Sequence, residues 1–274
     1  MKDKLNTQTL IRPKPETLGP KPILAARFSE IRKKPAVNPT VEDFSDIFSD
    51  KQYREHSFEE ARKAFEFILD KKKFVHHIKE KENEESFSYL KEVRRYGLIL
   101  RALYRFIDSG HKCAENLQQF LSLLGKYNDR YWISPSEEIR EEVIKDLEKI
   151  EFPVNYVDTL EFKKYTASIL FDIEQLLEEK ILSVEKFHGL RQKIRFFADI
   201  MQVAAAENYK GNLHWLFYSM IELSVEMGKH HDDLVQKGLN GEIDYHQSTV
   251  EVNPHTVSEF KKLKPFLEKV FGLV

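Results

Sequence analysis

The sequence predicts an all-α protein, in which a helical bundle follows a proline-rich arm. Beyond residue 50, apolar residues recur three and four positions apart, as in Val93, Tyr96 and Leu100. This spacing places them on one face of an amphipathic helix. No segment alternates polar and apolar residues over the length of a strand, and residues 243–252 are interpreted as a loop. We therefore expect seven or eight helices beyond residue 50.

Helix starts are indicated by capping sequences, in which Ser, Thr or Asp precedes Glu by three positions. Ser57 with Glu60 and Asp158 with Glu161 have this form. The first side chain accepts a hydrogen bond from a backbone N–H of the first turn, which otherwise has no partner in the helix. These two positions are therefore predicted to be helix N-termini.

The first 40 residues contain six prolines, and nine Lys and Arg against three acidic residues. Proline removes a backbone donor and disfavours helix in the residue before it, so such a stretch does not sustain long helices. We predict a disordered basic arm over residues 1–50 and a helical domain over residues 51–274. The apolar patch at residues 23–28 leaves open a short helix that folds back or binds a partner, and the arm is the predicted contact for any protein partner.

Composition excludes several classes of protein. The chain has 274 residues, 41% of them hydrophobic, a net charge of −2 and one cysteine, Cys113. One cysteine excludes an internal disulfide framework, and a near-neutral charge argues against nucleic acid as the partner. No apolar run reaches about 18 residues, so no membrane span is expected. The N-terminus also lacks the apolar stretch of a secretion signal, so a cytoplasmic location is predicted.

The chain contains a weak twofold internal repeat. Residues 90–132 and 187–235 each read as a helix, a polar connection and a second helix. Each second helix is predicted to end in Gly-Lys-x-x-Asp, at residues 125–129 and 228–232. We therefore predict two helical hairpins related by a near-twofold rotation. The repeats that contain them are assigned to residues 55–150 and 158–272.

The first helix of each hairpin carries basic residues on one face, which we call the basic stripes. In the first hairpin the stripe comprises Lys91, Arg94, Arg101 and Arg105. In the second hairpin it comprises His188, Arg191 and Arg195. If the stripes converge, they form a groove for a polyanion, because guanidinium groups offer bidentate donors to phosphate oxygens. The alternative is that these residues only solvate the outer faces of their helices. No catalytic residue, metal ligand or cofactor is predicted.

Two short segments carry a resemblance to a known family. They are His-Gly-Leu-Arg-Gln-Lys-Ile-Arg at residues 188–195 and Leu-Gly-Lys-Tyr-Asn-Asp at residues 124–129. They resemble the CHAD family, the conserved histidine α-helical domain, over about residues 55–272. The resemblance implies a helical bundle of two repeats whose basic pocket binds inorganic polyphosphate. The chain departs from the family pattern at Lys91, where the family has His, and at Ala198 and Asp199, where it often has Arg and Tyr.

Three functions are therefore weighed. The leading one is a non-catalytic helical module that binds an anionic ligand, possibly inorganic polyphosphate, through the basic stripes. The second is a helical scaffold or adaptor for protein partners, with the arm as tether. That function predicts an apolar surface patch instead of a concentrated positive groove. The third is a metal-dependent hydrolase that uses the cluster at residues 230–233, His-His-Asp-Asp.

Overall fold

The computed structural model describes Leu24, Arg27, Phe28 and Ile31, and residues 33–35, 39–80, 83–130, 137–207 and 211–274. Over these residues the chain forms nine α-helices and one two-stranded antiparallel ribbon, which confirms the predicted all-α class and exceeds the predicted helix count. The helices are α1 (Lys51–Ile68), α2 (Lys71–Lys79), α3 (Glu84–Ile107), α4 (Glu115–Arg130), α5 (Glu137–Leu147), α6 (Thr159–Glu178), α7 (Val184–Glu207), α8 (Asn212–Leu239) and α9 (Pro254–Val270). The strands are β1 (Ile181–Ser183) and β2 (Thr249–Glu251), and two 3-10 turns, Val41–Asp43 and Ile47–Ser49, precede α1.

Helices α3 and α7 are the two central helices of the bundle. Helix α3 packs against α1, α4 and α7, and α7 packs against α8 and α6 as well as α3. The pairs α3–α4 and α7–α8 are the two predicted helical hairpins. Every residue of α7 from 196 to 206 is buried. A stretch of helix that is buried on all sides forms part of the core. Apart from Glu207, the exposed and half-buried residues of α7 therefore all lie in its N-terminal half.

Local sequence predicts one helix start correctly and misplaces another. Asp158 caps α6, with its Oδ1 accepting from the Glu161 N–H at 2.8 Å. Helix α1, however, begins six residues before Ser57 and is capped by Asp50, whose Oδ1 accepts from the Gln52 N–H at 2.8 Å. Ser57 instead lies buried inside α1 and donates to the Glu207 carboxylate, 3.1 Å away. A hydroxyl that contacts a distant carboxylate has no signature in the local sequence.

The ribbon is a second departure from the predictions. Residues 249–251, which fall in the predicted loop, form β2 and pair with β1, with Leu182 opposite Val250. Both of these side chains are buried, and their neighbours along each strand are exposed. Three residues are too few for this alternation to be recognised in the sequence. The ribbon joins the start of α7 to the start of α9.

The described part of the basic arm packs against the bundle. Leu24, Phe28 and Ile31 are buried, at the i, i+4, i+7 spacing of a helical face. Arg27 Nη1 donates to two carbonyls at the end of α7, at 3.0 Å from Ala206 O and 3.2 Å from Glu207 O. Such contacts satisfy carbonyls that a helix end leaves without partners.

The packed core therefore extends into residues assigned to the arm, beyond the predicted domain boundary at residue 50. Phe44 and Phe48, in the last ten residues assigned to the arm, are also buried in the core. The disorder predicted for residues 1–23 lies outside the described residues. Within the described ranges, no helix is long and apolar enough to cross a membrane.

Candidate anion-binding cleft

A cleft of about 450 Å³ lies between the α3–α4 hairpin and the N-terminal half of α7. It contains six of the seven predicted ligand-binding residues, with three from α3 and three from α7. Those six are Arg94, Arg101, Arg105, His188, Arg191 and Arg195. The third wall comes from α4 and includes Gly125, Lys126 and Asp129. The structure brings the two stripes together, as predicted. That these residues bind an anion stays a prediction.

Lys91 is the predicted site residue that does not line the cleft. Its side chain is exposed, and its Nζ lies 4.2 Å from the centroid of the Phe87 ring, one turn back along α3. This cation–π contact holds the ammonium group at the N-terminal end of α3. The assignment of Lys91 to the site is therefore corrected, because its place at the border of the stripe directs it out of the cleft.

Among the described residues, the positive charges that line the cleft outnumber the negative ones. Six Arg and Lys side chains line it, against the two carboxylates of Asp129 and Asp199, which leaves an excess of four positive charges. Arg195 is paired, with its Nε 2.9 Å from Asp199 Oδ1. The other four arginines of the cleft have no carboxylate within 4.0 Å among the described residues. Unpaired charge at this density attracts anions from solution.

The glycines of the matched Gly-Lys-x-x-Asp segments make room for two of these arginines. A Cβ at Gly125 would lie only 2.7 Å from Arg94 Nη2, so the guanidinium group rests directly against the backbone of α4. In the second hairpin a Cβ at Gly228 would lie 3.3 Å from Arg191 Nη2. The same packing thus occurs in both hairpins, and the match between the two segments has a physical cause.

Both of these arginines contain a buried donor without a partner. The Nε atoms of Arg94 and Arg191 are buried and make no hydrogen bond within the part of the chain that the structure describes. A buried unsatisfied donor costs about 1–3 kcal/mol, so native structures seldom leave one without a reason. The two donors occupy matched positions in the two hairpins, and the Nε of Arg95, which does not line the cleft, is buried in the same way.

Burial and like charge make the free cleft electrostatically unfavourable. The pKa of Arg101 is lowered, first by burial and then by the neighbouring Arg105 charge. Burial also lowers the pKa of Arg191, and the negative charge of Asp232 partly offsets this effect. An arginine stays protonated in either case. A bound anion would therefore reduce the electrostatic repulsion between the guanidinium groups of the cleft.

His188 belongs to a chain of polar groups at the edge of the cleft. Its Nδ1 lies 3.1 Å from His231 Nε2, and its Nε2 lies 2.6 Å from the Gln192 amide nitrogen. His231 Nε2 is also 3.1 Å from the Tyr245 hydroxyl. Burial lowers the pKa of His188, and the His231 ring and the Arg191 charge lower it further. The neutral form of His188 is therefore favoured while the cleft holds no anion.

Sequence reasoning misses the partners that organise the site. Asp199 enters the sequence analysis only as a departure from a family pattern, although its i+4 spacing from Arg195 is the spacing of a helical ion pair. Gln192, one turn from His188, has the same kind of local signal. His231 and Tyr245 have none, because they reach His188 through the packing of α8 and the loop that follows it.

The third hypothesis requires the side chains at residues 230–233 to act together. The structure brings His231 Nδ1 to 3.5 Å from Asp232 Oδ1, but the other contacts of the four residues lie in different directions. The His230 ring contacts Phe187, His231 is buried against His188, and Asp233 pairs with Lys237 at 2.8 Å. Nowhere in the described ranges are three or more His, Cys, Asp or Glu side chains grouped so that they could hold a metal ion.

Comparisons with known proteins add nothing to this geometry, since no family model, no curated protein and no solved structure matches the chain.

Proposed function

We propose that the chain is a non-catalytic, CHAD-like module that binds an extended polyanion, such as inorganic polyphosphate, in the cleft between α3, α4 and α7. The observation that carries the proposal is the set of four cleft arginines that have no carboxylate partner among the described residues. Charge-assisted hydrogen bonds from these guanidinium groups to phosphate oxygens would neutralise the excess charge.

The layout of the arginines favours a chain of phosphates over a single one. Arg94, Arg101 and Arg105 lie along one face of α3, and eleven residues of α-helix span roughly 16 Å. Arg191 and Arg195 face them from α7. A linear polyanion running along α3 would meet successive guanidinium groups, whereas a lone phosphate would reach only some of them.

The scaffold alternative requires a contiguous apolar surface, and the described residues favour it less. Their exposed large hydrophobic side chains are spread over α6, β1, α8 and the C-terminus. These residues are Leu160, Phe171, Ile181, Val225, Leu239 and Val274. Apolar side chains scattered in this way are ordinary on a protein surface.

Calorimetric titration of the full chain with inorganic polyphosphate at low salt tests the proposal. The double variant Arg94→Ala/Arg191→Ala removes two charge-assisted contacts of about 1.5–3 kcal/mol each, so affinity should fall at least about a hundredfold. The control Lys33→Ala/Lys34→Ala removes two exposed charges of the arm and should have little effect. Affinity of the native chain should also fall steeply as salt rises, because phosphate contacts release counterions.

Two results would reject the proposal. One is that the native chain does not bind polyphosphate even at low salt. The other is that the arm variant loses more affinity than the cleft variant, which would make the arm the anion-binding element. Thermal unfolding of both variants shows whether a loss of binding reflects a loss of fold.

A further inference from the structure

A second, smaller pocket of about 170 Å³ adjoins the cleft, and we call it the annex. The annex and the cleft share Arg105, Gln192 and Phe196. Its other lining residues are Tyr165, Ile169, Gly189 and Lys193. The annex therefore continues the cleft beyond Arg105, toward α6.

The annex differs from the cleft in chemistry. Ile169 and Phe196 supply buried apolar walls, and Tyr165 supplies an aromatic one. His111 stacks on Tyr165 with ring centroids 3.7 Å apart and planes within 5°, which fixes the tyrosine ring in place. The mouth is cationic, with the unpaired Arg105 on one side and Lys193, held 2.8 Å from Asp172, on the other.

Gly189 keeps the annex open. A Cβ placed on this residue would meet no atom within 4 Å, so the bare helix surface of α7 faces free space. Glycine within a helix costs stability relative to alanine, and neither a positive φ nor a close backbone contact requires glycine at this position. In the structure, the effect of having glycine at position 189 is to leave free space above the helix.

The size and chemistry of the annex suit one ring system. An enclosed apolar cavity of roughly 150 Å³ accepts a benzene molecule. The annex has a similar volume, but it is open on one side and combines apolar walls with polar ones. A chain of inorganic phosphate has no apolar part that would gain from such walls. A flat heteroaromatic ring would gain from them, and it could also stack on the Arg105 guanidinium and hydrogen-bond to the Gln192 amide.

We propose that the annex binds the nucleobase of a nucleoside polyphosphate whose phosphates lie in the cleft. This inference rests on the proposed function, since it takes the cleft to be the phosphate site. It narrows the ligand class from polyanions in general to nucleotides. The base would lie against Phe196 and Ile169, with Arg105 between the base and the phosphates.

The test compares ATP with methyl triphosphate, which has a triphosphate group and no base. Titrations use the full chain with a chelator present, so that metal complexes do not contribute. The native chain should bind ATP about tenfold more tightly or better, in line with the contribution of base stacking in single-stranded nucleic acid complexes. Gly189→Leu, which fills the annex, should reduce ATP affinity to that of methyl triphosphate and leave methyl triphosphate unchanged. Gly189→Ala, with one methyl group, is the matched control and should retain most of the preference for ATP.

Each failure has a distinct meaning. If methyl triphosphate and inorganic polyphosphate both fail to bind, the proposed function itself is wrong. If methyl triphosphate binds as tightly as ATP to the native chain, the cleft stands and the annex proposal is overturned. The annex proposal is also overturned if Gly189→Leu weakens both ligands equally, or if geranyl diphosphate binds more tightly than ADP, which would assign the annex to an alkyl chain.

Discussion

The two hairpins place an arginine against a glycine in the same way, but they surround it differently. In α3–α4, Arg94, Arg101 and Arg105 have no carboxylate partner among the described residues, and Arg94 lies so close to Gly125 that no Cβ fits there. In α7–α8, Arg195 is paired with Asp199, and Arg191 has a looser fit and the charge of Asp232 nearby.

The arginines of the first hairpin thus have no carboxylate partner among the described residues. The arginines of the second hairpin have partly compensated charges and lie beside the polar network around His188. A repeated sequence pattern can therefore preserve packing while electrostatics diverge. If the cleft binds an anion, most of the electrostatic attraction should come from the first hairpin. Five measurements follow from this view of the cleft.

The largest effect on polyphosphate affinity is expected from Gly125→Ala. In Gly125→Ala the new methyl group would overlap Arg94 Nη2, so the guanidinium group must move, and a contact of about 1.5–3 kcal/mol is disturbed. Polyphosphate affinity should fall about tenfold or more by calorimetry. In the matched variant Gly228→Ala the contact is 3.3 Å and Arg191 needs to yield only slightly, so affinity should change much less. Equal losses in the two variants would contradict the contrast between the hairpins.

A smaller effect, of opposite sign, is expected from Asp199→Asn. This change removes one of two negative charges from the cleft and releases the Arg195 guanidinium from its ion pair. Polyphosphate affinity should rise several-fold, although the loss of an ion pair whose Asp199 side chain is buried should lower the melting temperature. Asp233→Asn breaks an exposed ion pair on α8 and serves as the control. Weaker binding by Asp199→Asn would mean that Asp199 holds Arg195 in its binding position.

The effect of pH on polyphosphate affinity should be smaller still. The pKa of His188 is lowered in the free protein, and a bound anion would raise it, so binding takes up a proton. Affinity should therefore increase as pH falls below about 6.5, the unperturbed imidazole value. His188→Gln should abolish this increase and retain the affinity measured near pH 8.

The lowered pKa of His188 affects stability in the opposite direction, because acidification strengthens anion binding but destabilises the free fold. The pKa of His188 is lowered in the folded state, and such a histidine stabilises the fold above its unfolded-state pKa of about 6.5. This contribution is lost as pH falls from that value through the folded-state pKa. Without ligand, the native chain should thus lose more stability on mild acidification than His188→Gln, as measured by urea unfolding.

The smallest effect is expected from Lys91→Ala. The Lys91 side chain is exposed and lies over the Phe87 ring, outside the cleft. Removing one distant, screened charge should change polyphosphate affinity by less than about twofold at physiological salt. Lys126→Ala, which removes a lysine of the cleft wall, is the matched comparison and should weaken binding more. A larger loss from Lys91→Ala would extend the site to the start of α3.

The parts of the molecule that can be predicted from the sequence are the helices whose apolar or basic residues recur with the helical period. The stripes of α3 and α7 and the hairpins that carry them are accessible because residues three, four and seven positions apart share a face. Periodicity fixes which face a residue lies on, but not where along the helix the site ends. That is why Lys91 falls within the predicted site and outside the observed cleft.

The parts that sequence misses depend on contacts between distant segments. His231 and Tyr245 reach His188 only after α8 has packed against α7. The docked segment around Phe28 is a different case, because Leu24, Phe28 and Ile31 do show a helical spacing. The proline and charge content of the surrounding arm outweighs that signal in the prediction.

If the cleft binds an anion as proposed, the stability of this protein will depend on the anions in the solution around it. A ligand that binds only the folded state stabilises it by mass action, by about 2.7 kcal/mol at a hundred times its dissociation constant. For a domain of this size, that corresponds to a rise in melting temperature on the order of 5–10 °C. Multivalent buffer anions would produce part of the same shift, so a melting temperature recorded in phosphate would exceed one recorded in a zwitterionic buffer. A thermal-shift screen of anions, begun in a buffer without them, would therefore rank candidate ligands by how far each one raises the melting temperature.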